Sequence, residues 1–173
     1  MINLQIMTLL NTLRSRKLII PMLVILVALL IQTSWVEEDA FITLRTSDNF
    51  IHGYGLRWNV DERVQTFTNP LWMFLLAGAH AVIENPYIAL ILLSILVSVL
   101  AMFVLLVNIP KNNFGVLLAF AILVLSKSFV DFSTSGLENP ATHLIAAGFV
   151  VLYFEAEKPR SDKNLLFLSL LAG

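Results

Sequence analysis

The sequence predicts an all-α protein, a polytopic bundle of transmembrane helices, and three observations carry that expectation. Of the 173 residues, 58% are hydrophobic and 13% charged, against ~45–50% and ~25% in soluble domains. Apolar runs with few or no charges lie at 18–36, 87–107, 114–130 and 140–154, and a helix needs about 20 such residues to cross ~30 Å of hydrocarbon. Asn-Pro occurs at 69–70, 85–86 and 139–140, each time opening an apolar run. Asn is a good helix cap, and Pro suits the first helical position because its missing N–H has no partner there. With a mean hydropathy of +0.83, the chain is neither a soluble domain nor a disordered tail. It also lacks the clustered Lys and Arg of a nucleic-acid binder. A net charge of -1 points to no particular partner, and the absence of cysteine excludes disulfides, thiolate nucleophiles and Cys-based metal sites.

Taken in order, residues 2–13 place Ile2, Ile6, Leu9, Leu10 and Leu13 at a helical period suited to the inner membrane surface. Arg14, Arg16 and Lys17 then precede the first span, 18–36. That run is longer than a signal-peptide core, and no small-residue cleavage site follows it. With no acid among residues 1–17, the amino terminus is expected in the cytoplasm. Residues 37–86 form a long external segment. Within it a surface helix is expected around Ala40, Phe41, Leu44 and Ile51, stopped by Gly53 and Gly55. The apolar stretch 70–83 decides the topology. If it only lies in the interface, seven basic residues fall inside and three outside; if it crosses, the numbers reverse. The positive-inside rule and the shortness of the stretch favour an interfacial helix on the outer side. Spans at 87–107, 114–130 and 140–154 follow. Residues 165–173 reach only ~13 Å as a helix, so the chain is expected to stop inside a fifth.

The external segment 37–86 carries seven acids against three arginines, which makes it the place to look for chemistry. Glu37-Glu38-Asp39 stands at the outer end of the first span. Carboxylates suit a helix N-terminus electrostatically and need no further role there, but one at the membrane edge can also act as a general base. Asp131 and Glu138 flank a Ser, Thr and Gly turn before the fourth span, and His143 lies one turn beyond Pro140. A lone His so placed is usually packed and hydrogen-bonded. Lys127 is the one charge inside an expected span; it either snorkels to the interface or contacts an anion. Phosphate-loop, HExxH, GxSxG and GxGxxG patterns are absent, and His52, His80 and His143 do not have metal-site spacing.

Two groups of residues carry a resemblance. Glu38-Asp39-Ala40-Phe41-Ile42-Thr43-Leu44-Arg45 is followed by Asn49, Gly53-Tyr54-Gly55-Leu56, Asn59, Glu62-Arg63-Val64 and Thr68-Asn69-Pro70-Leu71-Trp72. In order and spacing this resembles the opening of GT-C membrane glycosyltransferases, similar to the mycobacterial arabinofuranosyltransferases and related polyprenyl-phosphate-sugar transferases. Ser135-Gly136-Leu137-Glu138 resembles a second motif of the group. The sequence departs from the pattern at Glu38, which keeps a carboxylate where the family has Asp, and at Thr46, Gln65 and Asn139.

The resemblance implies a GT-C-like fold with interfacial helices in the first external loop. It implies transfer of a sugar from a polyprenyl-phosphate carrier to an acceptor hydroxyl on the outer face of a bacterial cytoplasmic (inner) membrane. Asp39 would be the general base with Glu38 beside it. Glu138 would share the outer cavity, Arg45 would hold the donor phosphate or the acid pair, and Lys127 and His143 are further substrate-contact candidates. The implied partners are membrane lipid, the polyprenyl-phosphate sugar and a glycan or envelope acceptor, with no nucleic acid. No cofactor follows beyond the lipid-linked donor, although a divalent metal is compatible with the chemistry. Family members extend far beyond a fifth span, so the chain as given is expected to be an N-terminal portion with little or no activity alone. The competing expectation is a truncated, non-catalytic membrane subunit that binds carrier lipid or a partner's spans. A small transporter fits less well, because it calls for charged or broken helices at mid-membrane.

Overall fold

The computed structural model describes residues 2–62, 64–110 and 112–155, with side chains from Lys17 to Phe154, and among these every regular element is a helix. The expected span at 165–173 lies outside the described residues. In chain order the helices are α1 (Ile2–Gln32), α2 (Ala40–Ile51), α3 (Pro70–Val82), α4 (Pro86–Asn108), α5 (Asn113–Leu125), α6 (Lys127–Phe132) and α7 (Asn139–Glu155). Local chemistry sets several of their starts. The side chains of Asn69, Asn85 and Asn112 accept hydrogen bonds from the N–H groups of Trp72, Ile88 and Gly115 at 3.1, 3.0 and 2.8 Å. Each satisfies a donor the helix leaves unpaired. The third Asn-Pro behaves differently: Asn139 is already helical, and the carbonyl of Glu138 receives the Thr142 N–H at 3.0 Å.

Two stretches depart from the sequence expectation. Residues 2–13 do not form a separate surface helix but run without interruption into the first apolar run, through Pro21. No helix breaker stands between them, and Arg14, Arg16 and Lys17 are good helix formers. The run 114–130, expected as one span, is divided at Ser126. That residue takes an extended conformation (φ -75°, ψ 105°) and its hydroxyl caps α6 through the Phe129 N–H at 3.4 Å. A Ser that can bond a nearby N–H offers the backbone an alternative to helix continuation.

Packing forms two tiers. In the first, Ile19, Met22, Leu26 and Leu30 make one seam along α1, against Ile95, Met102 and Leu106 of α4, Val116 of α5, and Phe129 and Val130 of α6. In the second, Ala40 and Leu44 of α2 and Trp72 and Leu76 of α3 pack on Leu90 and Val97 of α4 and Ala141 of α7. α4 therefore runs through both. With 23 residues it is the one described helix long and apolar enough to cross a membrane, at ~35 Å. Its outer surface carries Leu92, Leu96, Leu100 and Phe103, each more than 40% exposed, and α1 presents Ile20, Val24 and Ile25 in the same way. Apolar stripes of this length left outside the core match a lipid environment.

Candidate functional site

Beyond α1 the chain is fastened to α6 and to the loop between α6 and α7. The Trp35 indole donates to the Asp131 carbonyl at 2.9 Å, and the Glu37 N–H donates to the Ser135 carbonyl at 2.8 Å. One residue further, Gly136 turns with φ +86°, a conformation that favours glycine. A methyl group there would lie 2.7 Å from the Ala40 Cβ and 2.8 Å from Leu90 Cδ2, so α2 and α4 both close onto this point. The Gly136 carbonyl accepts the buried Trp72 indole N–H at 2.9 Å. The Glu38–Arg45 and Ser135–Glu138 segments, far apart in sequence, thus meet at one junction clamped by Trp72.

The junction is polar inside. Ser133, Thr134 and Ser135 are fully buried, and α4 faces this side with the equally buried Ser94 and Ser98. Ser98 donates to the Ser133 carbonyl at 3.3 Å, and the Ser133 hydroxyl returns to the Phe129 carbonyl at 2.6 Å. Small residues allow the backbones this approach, as they do between membrane helices generally.

The six residues singled out from sequence fall in five places. Glu38 and Asp39 sit on the outward side of the junction, both exposed. Asp39 occupies the N-cap position of α2, yet its side chain makes no capping hydrogen bond, so the carboxylate is not consumed by the helix it precedes. Glu138, half-exposed, follows the Ser135–Gly136 contact at the opening of α7. Arg45 is not turned toward the acid pair. Its guanidinium lies 4.6 Å over the Trp58 ring, and Nη2 donates to Asn59 Oδ1 at 3.3 Å.

Lys127, with its side chain 89% exposed, pairs with Asp131 at 3.4 Å. His143 lies within the bundle, its ring tilted against Phe129 with centroids 5.0 Å apart. It borders an apolar crevice of ≈210 Å³ between α4, α5, α6 and α7. Neither residue joins Asp39.

Sequence reasoning missed the partners. Asp48 stands between two imidazoles, 3.2 Å from His52 Nδ1 and 3.8 Å from His80 Nε2, and His80 is buried. The signal was present: His80 continues the α3 stripe of Trp72, Met73, Leu76 and Ala77, the residues buried in that helix. Among the described residues no three His, Asp or Glu side chains converge as the ligands of a metal ion would. What the junction offers chemically is an exposed pair of carboxylates beside the Glu37–Ser135 contact, with Glu138 three residues past Ser135. Set against protein-family models, curated proteins and solved structures, the chain finds no match among them.

Proposed function

We propose that this chain carries the outward-facing catalytic loop of a multi-pass membrane glycosyltransferase of the GT-C type, set in a bacterial cytoplasmic membrane. α1, α4, the α5–α6 pair and α7 cross the bilayer, with the amino terminus inside. α2 and α3 lie at the outer surface. The observation that carries the reading is the Glu37 N–H to Ser135 carbonyl bond at 2.8 Å, because it joins the two segments whose residues resemble that family. The exposed apolar side of α3, with Leu71, Phe74, Leu75 and Val82, supports its place in the interface.

In the reaction Asp39 takes the proton of an acceptor hydroxyl, whose oxygen attacks the anomeric carbon of a polyprenyl-phosphate sugar. The bond from that carbon to the phosphate oxygen breaks, the carrier phosphate leaves with the electron pair, and the anomeric configuration inverts. Glu38 and Glu138 bound the same outer site. Replacing Asp39 with Asn at its chromosomal position tests this in the protein as the cell makes it. Isolated membranes given a radiolabelled polyprenyl-phosphate sugar are expected to lose transfer by ~10²–10⁴, the usual worth of a general base. Unchanged transfer at an equal protein level overturns the assignment.

A further inference from the structure

Four residues of α2, Phe41, Leu44, Arg45 and Asp48, recur at the i, i+3, i+4, i+7 spacing of a single helix face. Trp58, from the loop after α2, stands across from them, and Pro86 and Tyr87 at the start of α4 close one end. Together they enclose an open groove of ≈370 Å³, within the ~300–1,000 Å³ range of small-molecule sites. Phe41 and Tyr87 are about half-exposed. Arg45 lies over Trp58 and donates to Asn59. Asp48 Oδ1 lies 3.2 Å from His52 Nδ1, whose hydrogen bond at 2.8 Å goes to the Asp48 backbone carbonyl.

We infer that this groove is a subsite for a neutral sugar ring, taking the acceptor glycan one or two units back from its reacting hydroxyl. As an acceptor site it rests on the transferase reading. A sugar ring has an apolar C–H face and an edge of hydroxyls. Phe41 and Tyr87 supply the surface for the first. Trp58 holds the Arg45 guanidinium over its ring, and the Arg45 fork and Asp48 carboxylate supply donors and acceptors for the second. Charge decides against the alternatives. One cation and one anion line the groove, so a phosphate meets the Asp48 carboxylate as well as Arg45, while an acyl chain would bury both charges without return. Position agrees: along α2, Arg45 is about 9 Å beyond Asp39 at 1.5 Å per residue, roughly one to two sugar units away.

The purified chain in lipid nanodiscs is tested by saturation-transfer NMR with methyl α-D-mannopyranoside, methyl β-D-glucopyranoside and methyl α-D-arabinofuranoside. At least one is expected to take up saturation, strongest at its ring C–H protons. Tyr87→Ala and Trp58→Ala should each raise Kd about tenfold, and Trp58→Phe should restore most of it. Tyr87 is half-exposed, so its variant tests the groove even if Trp58→Ala fails to fold. Absence of transfer to all three glycosides overturns the proposal, as does binding indifferent to the Tyr87 and Trp58 changes. Saturation of dihexanoyl phosphatidylglycerol in their place, lost on the same substitutions, also overturns it and assigns the groove to lipid. Glycoside binding needs neither donor nor turnover. Lost binding beside Asp39-dependent transfer removes the groove alone, whereas binding without Asp39-dependent transfer removes the transferase reading.

Discussion

Replacing Gly136 with alanine adds one methyl group at the point where α2, α4 and the α6–α7 loop converge, and its cost has two separable parts. The first is backbone strain: at φ +86° an L side chain costs about 1–2 kcal/mol. The second is steric. The new Cβ meets Ala40 Cβ at 2.7 Å and Leu90 Cδ2 at 2.8 Å. Leu90 can rotate its methyl aside, but the Ala40 Cβ is fixed to the α2 backbone, so the helix start itself must move. Overpacking of this kind costs about 1–3 kcal/mol. Reduced freedom of the unfolded chain returns about 0.4–1 kcal/mol, leaving a net loss of about 3 kcal/mol. For a chain of this size that lowers Tm by ~6–12 °C.

Gly53 supplies the control. Its φ is +83°, yet nothing lies within 4 Å of the position a Cβ would take. Gly53→Ala therefore carries the strain without the collision and should lower Tm by only ~2–4 °C. Thermal unfolding of both variants and the parent, followed by tryptophan emission in one detergent, gives the comparison. Of the three tryptophans, Trp35 and Trp72 donate to the Asp131 and Gly136 carbonyls, so most of the emission reports on the junction. Equal shifts for the two variants, or a Gly136→Ala shift under ~2 °C, would refute the claim that α2 is packed against this glycine.

Trp72→Phe removes the donor to the Gly136 carbonyl; leaving a buried carbonyl unpaired should cost about 1–3 kcal/mol in the same assay. Lys127→Ala breaks the pair with Asp131, but with the Lys127 side chain 89% exposed the change in stability should stay under about 1 kcal/mol. A larger loss would place Lys127 in a contact other than this one. For topology, a cysteine at Asp61 should react with an impermeant maleimide in spheroplasts, and one at Asn108, just beyond the far end of the α4 core, only after permeabilisation. The reverse pattern would turn the molecule over and remove Asp39 from the outer face.

Helix positions were legible where the signal is local. The bounds of α3, α4 and α7 follow within a residue or two from apolar runs, and for α3 and α4 also from the Asn-Pro pairs at their starts, because a cap and a proline act on their own turn. The break at Ser126 was not legible. Hydropathy continues unchanged through it, and what turns α6 inward is the burial of Phe129 and Val130 against α1 and α4, which no local window contains. The acid pair stands out in the sequence by its place at the end of the first apolar run and by the resemblance. Its setting was not, since the Glu37–Ser135 and Trp72–Gly136 contacts join positions far apart in the chain. Arg45 shows the same limit. The motif offers it to the donor phosphate or the acid pair, and its contacts with Trp58 and Asn59 are written in no local pattern.

On the proposed transferase reading, stability and chemistry fall to different residues at the junction, and that separation is what makes the reading decidable. Ala40, Trp72 and Gly136 are buried and hold the backbones together, so changing them unfolds or displaces the site whatever the site does. Asp39 is exposed, and its carboxylate makes no capping bond, so Asp39→Asn removes no internal contact and Tm should stay within ~2 °C of the parent. If transfer falls with Tm unchanged in Asp39→Asn, while both fall in Gly136→Ala, the carboxylate acts on substrate and the glycine acts by placing it. If transfer falls only in step with Tm across both variants, the junction is a structural joint and the catalytic group lies elsewhere.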